Sequence, residues 1–156
     1  MAPVSEARRA SASMSQTLHV LSRREANIFA CVAETVVAPA GPLPPLARTD
    51  AVSFFDDCLG RAPAINRLGL RALLHVLELL PLARGYGARL RRLEPARRLR
   101  FVSELERGRM RDVVQPLRAL AQLSYYGDPQ VMLALGYDAG AVVDRGRALR
   151  AEEARW

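Results

Sequence analysis

The residues of this 156-residue chain whose types could carry chemistry are few: His19 and His75, Cys31 and Cys58, and the adjacent acids Asp56 and Asp57. Spacing argues against most of the chemistry they could do. Apart from Glu78, no Cys, Asp or Glu stands three or four residues after His75, so the pattern favours an ordinary core or surface histidine over a metal ligand or general base. Neither cysteine has a second cysteine at metal-ligand spacing, and both fall at apolar positions of predicted helices, which points to free buried thiols. Neighbouring acids on a helix diverge by about 100°, so Asp56 and Asp57 form no shared acid/base pair by themselves. Lysine is absent, which removes Schiff-base chemistry and the phosphate-binding lysine of a P-loop. Gly85-Tyr86-Gly87 follows no predicted strand and reads as a loop turn rather than a dinucleotide site, and no serine sits in a G-x-S-x-G elbow. The expectation is a chain with no catalytic centre, metal or cofactor of its own.

The elements around these residues are helical. Ser22-Arg23-Arg24-Glu25 is an S-x-x-E capping box, and Phe29, Val32, Ala33, Val36 and Val37 follow at helical spacing up to Pro39. Four prolines between 39 and 45 forbid a helix there and predict an extended strap. A second helix is expected from Thr49 to about Gly60, with Phe54, Phe55, Cys58 and Leu59. The third, from about Pro63, carries Leu70, Leu73, Leu74, Leu77 and Leu80 on one face and Val76 and Leu79 on another, the pattern of a central helix buried on two sides. Pro81 and the Gly85-Tyr86-Gly87 turn end it. A fourth helix opens at Pro95, a fifth follows Gly108 with an expected kink at Pro116, and Asp128-Pro129 caps a short sixth that stops at Gly136. No run alternates as a strand and no segment repeats.

The fold class is therefore all-α: an irregular bundle of about five to six helices with a disordered N-terminal leader and a Pro-rich strap. Residues 1–19 are the expected leader, 20–138 the helical domain, and 139–156 a charged tail with at most a marginal helix. Half of the residues are hydrophobic and a quarter charged, the balance of an ordinary globular protein. No apolar run approaches the ~20 residues of a membrane span. The leader carries Arg8-Arg9 but no apolar segment of a secretory signal, so a cytoplasmic location is expected. The formal charge is +7 and all 23 basic residues are Arg. The excess is local, with ten Arg against three Glu in residues 84–111. That stretch could grip phosphates, and a helical Arg-rich nucleic-acid-binding or regulatory protein is the alternative reading. Few aromatics interleave it, which favours an Arg rim at a protein interface, with Arg91 and Arg92 in that role.

Three blocks resemble the small subunit of membrane-associated gluconate 2-dehydrogenases, the subunit 3 family. They are Leu21-Ser22-Arg23-Arg24-Glu25-Ala26; Phe101-Val102-Ser103-Glu104-Leu105 with Arg109; and Tyr125-Tyr126-Gly127-Asp128-Pro129-Gln130-Val131 followed by Leu135-Gly136-Tyr137. The resemblance spans roughly residues 20 to 138. It implies a non-catalytic accessory subunit in a hetero-oligomer with a large FAD-dependent dehydrogenase of the glucose-methanol-choline type, which oxidises a hydroxyl group and holds the FAD. The hydrophobic export segment that many family members carry is missing here, and the residues after Tyr137 depart from the family's glycine-rich ending. On this reading Tyr125, Tyr126 and Tyr137 are candidate anchors on the partner, each with a core tyrosine as its alternative. Pro42, Pro44 and Pro45 are a candidate strap along the partner, with a plain surface loop as theirs.

Overall fold

Seven α-helices and two 3-10 turns make up the computed structural model, which describes residues 18–153. In chain order they are α1 (Arg23–Val37), a 3-10 turn (Leu46–Arg48), α2 (Ala51–Arg61), α3 (Ala64–Ala83), a second 3-10 turn (Leu90–Arg92), α4 (Pro95–Arg107), α5 (Arg111–Tyr126), α6 (Pro129–Ala134) and α7 (Ala139–Glu153). No strand occurs among the described residues, so the all-α class holds. None of these helices is long and apolar enough to cross a membrane. The expected leader falls, for residues 1–17, outside the described residues.

The capping box starts α1 where its spacing places it. Ser22 N–H donates to the Glu25 carboxylate at 2.8 Å, and Glu25 N–H donates to Ser22 Oγ at 3.3 Å. The helix ends at Ala38, whose φ of 44° is left-handed. That conformation costs an alanine about 1 kcal/mol and turns the chain into the proline strap. Between these ends Ile28, Phe29 and Ala33 are fully buried, because α2, α3, α4, α5 and both 3-10 turns pack around α1. The central helix is thus α1, and the expectation that α3 would be buried on two sides is corrected. Alanines and a cysteine at Ala26, Cys31 and Ala33 let neighbours close on α1 from several directions. On α3 only Leu74, Leu77, Glu78 and Pro81 are buried, while Ile65, Leu68, Val76, Leu79 and Leu82 stand exposed.

Packing joins distant segments through paired aromatics. The Phe29 ring lies parallel to Phe55 with centroids 3.8 Å apart, tying α1 to α2, and Tyr86 meets Phe101 edge-on at 5.4 Å, tying the loop after α3 to α4. Helix α5 keeps its helical course across Pro116, which is exposed. The tail forms more than the marginal helix expected of it, since α7 runs for 15 residues, yet none of residues 140–153 is buried.

The entry to α1 is held by α2. Asp56 is 2 % exposed and its carboxylate accepts three backbone N–H groups, from His19 at 2.6 Å, Val20 at 3.0 Å and Leu21 at 2.7 Å. His19, placed in the leader by sequence, therefore belongs to the folded unit, as does Leu18, which packs on the core. Three converging donors make this a charge-assisted clamp on a segment with no other regular structure. Asp56→Ala is expected to cost roughly 2–4 kcal/mol in urea denaturation. Asp56→Asn keeps one accepting oxygen and is expected to lose about half as much; equal losses for the two would refute the clamp.

Candidate partner interface

The three tyrosines singled out by sequence separate in the structure. Tyr125 is fully buried, and its hydroxyl donates to the Pro44 carbonyl at 2.6 Å. Burial pushes this phenol up from its ordinary value, helped by the nearby Tyr126 and Asp128. It is a core residue that pins the strap, and its expected role as a partner anchor is corrected: no part of its ring is free to touch another molecule. Tyr126 and Tyr137 are 41 % and 51 % exposed. Tyr126 packs edge-on against Tyr125 with centroids 5.2 Å apart. Tyr137 follows Gly136, whose φ of 73° ends α6, and its N–H donates to the Met132 carbonyl at 2.9 Å. Leu123, Leu133 and Leu135 are exposed within the same stretch.

Asp128 holds this end of the bundle together. One carboxylate oxygen caps α6 by accepting Gln130 N–H at 2.8 Å, and the other accepts Asp50 N–H at 2.8 Å at the start of α2. The cap was legible in the Asp128-Pro129 dipeptide; the second grip, 78 residues away, was not. The strap lies against the chain's own α5 rather than free: Pro44 is half-buried with its carbonyl occupied, and Leu46 is buried, while Pro42 and Pro45 remain exposed. Arg91 also has an internal role. Its Nε donates to Glu78 Oε1 at 3.0 Å and its N–H to Oε2 at 3.3 Å, neutralising a carboxylate that is 1 % exposed. Arg92, beside it, is exposed.

His75 meets a carboxylate from another helix, which its own flanking sequence could not reveal. Its Nε2 lies 3.3 Å from Glu25 Oε1, and Arg71 grips the same carboxylate with Nε at 2.8 Å and Nη2 at 3.2 Å. Ser22 Oγ completes the cluster at 2.7 Å from Glu25 Oε2. Burial works to raise the Glu25 pKa, but the bonds from Arg71 and Ser22 outweigh it and hold the carboxyl at about 2 against the usual 4.5. Serine and histidine both address the carboxylate rather than each other, so the three groups do not form a nucleophile-base relay. They fasten α3 to the start of α1.

The Arg-rich stretch is partly spent inside the molecule. Besides Arg91, Arg98 contacts Cys31 Sγ at 2.9 Å and Glu34 at 3.6 Å, Arg100 pairs with Glu104 at 3.4 Å, and Arg97 donates to the Tyr86 carbonyl and lies over its ring. Both cysteines are free; Cys31 is buried and Cys58 half-buried. Burial pushes the Cys31 thiol up, against the opposing pull of Arg98, so its reactive thiolate is scarce. A shallow open groove of about 450 Å³ runs along α4 between Ala96, Leu99, Arg100, Ser103, Glu104 and Arg107. Among the described residues no three His, Cys, Asp or Glu side chains gather as a metal site. No protein-family model, curated protein or solved structure matches the chain.

The cluster geometry sets two expectations. Because the folded-state pKa of Glu25 lies below its ordinary value, its stabilisation is complete above about pH 4.5 and is lost as pH falls from there to 2. At most about 3 kcal/mol is involved. Glu25→Gln is expected to flatten that part of the stability-pH curve relative to wild type; parallel curves for the two proteins would count against the cluster. Tyr125→Phe keeps the buried ring and loses only the strap bond, so thermal denaturation is expected to show a loss of about 1 kcal/mol, with faster amide exchange at Leu43, whose N–H faces the Ala40 carbonyl.

Proposed function

We propose that this chain is a non-catalytic subunit that binds and stabilises a larger flavin-dependent dehydrogenase oxidising a hydroxyl group of the sugar, alcohol or sterol type. The observation that carries the reading is the placement of its large apolar side chains. Ile65 and Leu68 on α3, and Leu123, Leu133, Leu135 and Tyr137 around α6, are each more than half exposed, and large apolar side chains grouped on a surface mark places covered by another protein. The three blocks that resemble the gluconate 2-dehydrogenase subunit 3 family support the identity of that protein. Their residues serve the framework: the Ser22-Glu25 capping box, the buried Phe101 and Leu105 of α4, and the Asp128 cap.

On this reading FAD belongs to the partner, and the small subunit contributes contact area and folding support from a cytoplasmic complex or one exported with its partner. Binding only the folded form of the dehydrogenase raises its apparent stability by mass action. The Arg-rich alternative is weaker because Arg91, Arg97, Arg98 and Arg100, four of the ten arginines between 84 and 111, already engage groups within the chain.

Co-expression with a glucose-methanol-choline-type flavoprotein from the same genome is expected to give a stoichiometric yellow complex and to raise the melting temperature of the flavoprotein by several degrees. A flavoprotein whose yield, activity and melting temperature ignore the small chain would overturn the proposal.

A further inference from the structure

Helix α3 is apolar on two opposite sides, and only one of them is used. At about 100° per residue, Leu74, Leu77 and Pro81 point into the core, while Ile65, Leu68, Ala72, Val76, Leu79 and Ala83 recur at three- and four-residue steps on the far side, all exposed. The outer stripe runs almost the whole length of a 20-residue helix, or about 25–30 Å, without a charged residue. Ile65 and Leu68, at 76 % and 65 % exposure, belong to the first two turns. The glycine between the turns, Gly69, has open space around it, which lets another backbone come close.

We infer that this outer face of α3 is a docking surface for an apolar helix, bordered by carboxylates, on a larger acidic protein. Charge selects that occupant. From Arg61 to Arg84 the chain carries four arginines, Arg61, Arg67, Arg71 and Arg84, and its single acid, Glu78, is buried against Arg91. Arg67 and Arg71 turn toward the core side, Arg71 onto Glu25, so the exposed charges left to border the stripe are Arg61 and Arg84, one at each end, and this helix sets no exposed acid against them, on a chain whose formal charge is +7. Two copies meeting through α3 would bring only arginines together at the ends of the contact, with no exposed acid of this helix to answer them. Area points the same way. One helix face of this length and roughly 10 Å width offers on the order of 300 Å², well short of the ~800 Å² per partner of a stable protein interface, so the contact must continue over neighbouring surface onto a bigger molecule. The stripe lacks Trp and Phe and includes Ala72 and Ala83, side chains suited to close helix-on-helix packing rather than to insertion into a lipid interface. The identity of the acidic protein as the dehydrogenase rests on the proposed function; the face and its chemistry do not.

The experiment places a photoreactive residue on the stripe, as Leu68→p-benzoylphenylalanine and separately Val76→p-benzoylphenylalanine, in the cell that makes the chain, with Arg109→p-benzoylphenylalanine as the off-face control. The expected adduct joins both stripe positions to one protein of net negative charge, at apolar residues of a helix flanked by Asp or Glu. With that protein purified, the double variant Leu68→Glu/Leu79→Glu is expected to weaken binding about 100-fold or more while keeping the wild-type melting curve, since both positions are exposed. Binding is also expected to weaken with added salt. An adduct with an acidic protein other than a flavoprotein sustains the docking face and removes the dehydrogenase reading. A flavoprotein complex that binds the double variant as well as wild type does the reverse. A covalent homodimer, co-sedimentation with phosphatidylglycerol vesicles that the double variant loses, or no adduct from either stripe position overturns the inference.

Discussion

A single buried carboxylate, that of Glu25, is where the architecture of this chain is decided. It sits at the third position of the central helix, nearly inaccessible to water, and takes bonds from the Ser22 backbone and hydroxyl on one side and from the Arg71 guanidinium on the other. A carboxylate removed from solvent is costly unless every lone pair finds a donor, so the start of α1 and the middle of α3 must come to the same point. Once they do, the part of α3 after Arg71 packs inward through Leu74, Leu77, Glu78 and Pro81, and the turns before it are left outside the core. The exposed first turns of α3 thus follow from the same constraint that organises the core.

The other buried acids repeat the device with different partners. Asp56 gathers the chain entering α1, Glu78 draws in the turn at Leu90–Arg92 through Arg91, and Asp128 binds the start of α2 to the start of α6. Each joins segments that no regular ladder connects, which is how a bundle with unequal helices and long connections reaches one arrangement. Hydrophobic burial supplies most of the driving force, but it is non-directional; the carboxylates supply the directions.

Helix boundaries were legible because their signals are local. The capping box at Ser22-Glu25, the stop before Pro39, the first-turn prolines at 95 and 129 and the stop at Gly136 all act within a few residues. The buried acids were half legible: Asp56 falls in phase with Ala51, Phe55 and Leu59, and Glu78 with Leu74, Leu77 and Pro81, so their burial could be read, whereas their partners, set by the tertiary fold, could not. Extending the Val114, Leu117, Ala121 period by four residues places Tyr125 inward and Tyr126 outward, a distinction that the chemical likeness of adjacent tyrosines obscured. The ranking of α1 and α3 failed for another reason. Amphipathic pattern reports which faces avoid water, and it does not say whether the cover comes from the same chain.

The clamp at Glu25 also imposes an order in time. Its partner Arg71 lies 46 residues further along the chain, and at a synthesis rate of roughly 5–20 residues per second that is an interval of about 2–9 s. Throughout it, the earliest made of the described helices is also the one that ends up innermost, and it carries Ile28, Phe29 and Val32 before the helices that cover them are made. The α5 helix that packs across it is translated later still. Growth from the N-terminus therefore delivers the centre of this molecule before its walls, and the nascent chain waits with its innermost helix in the open.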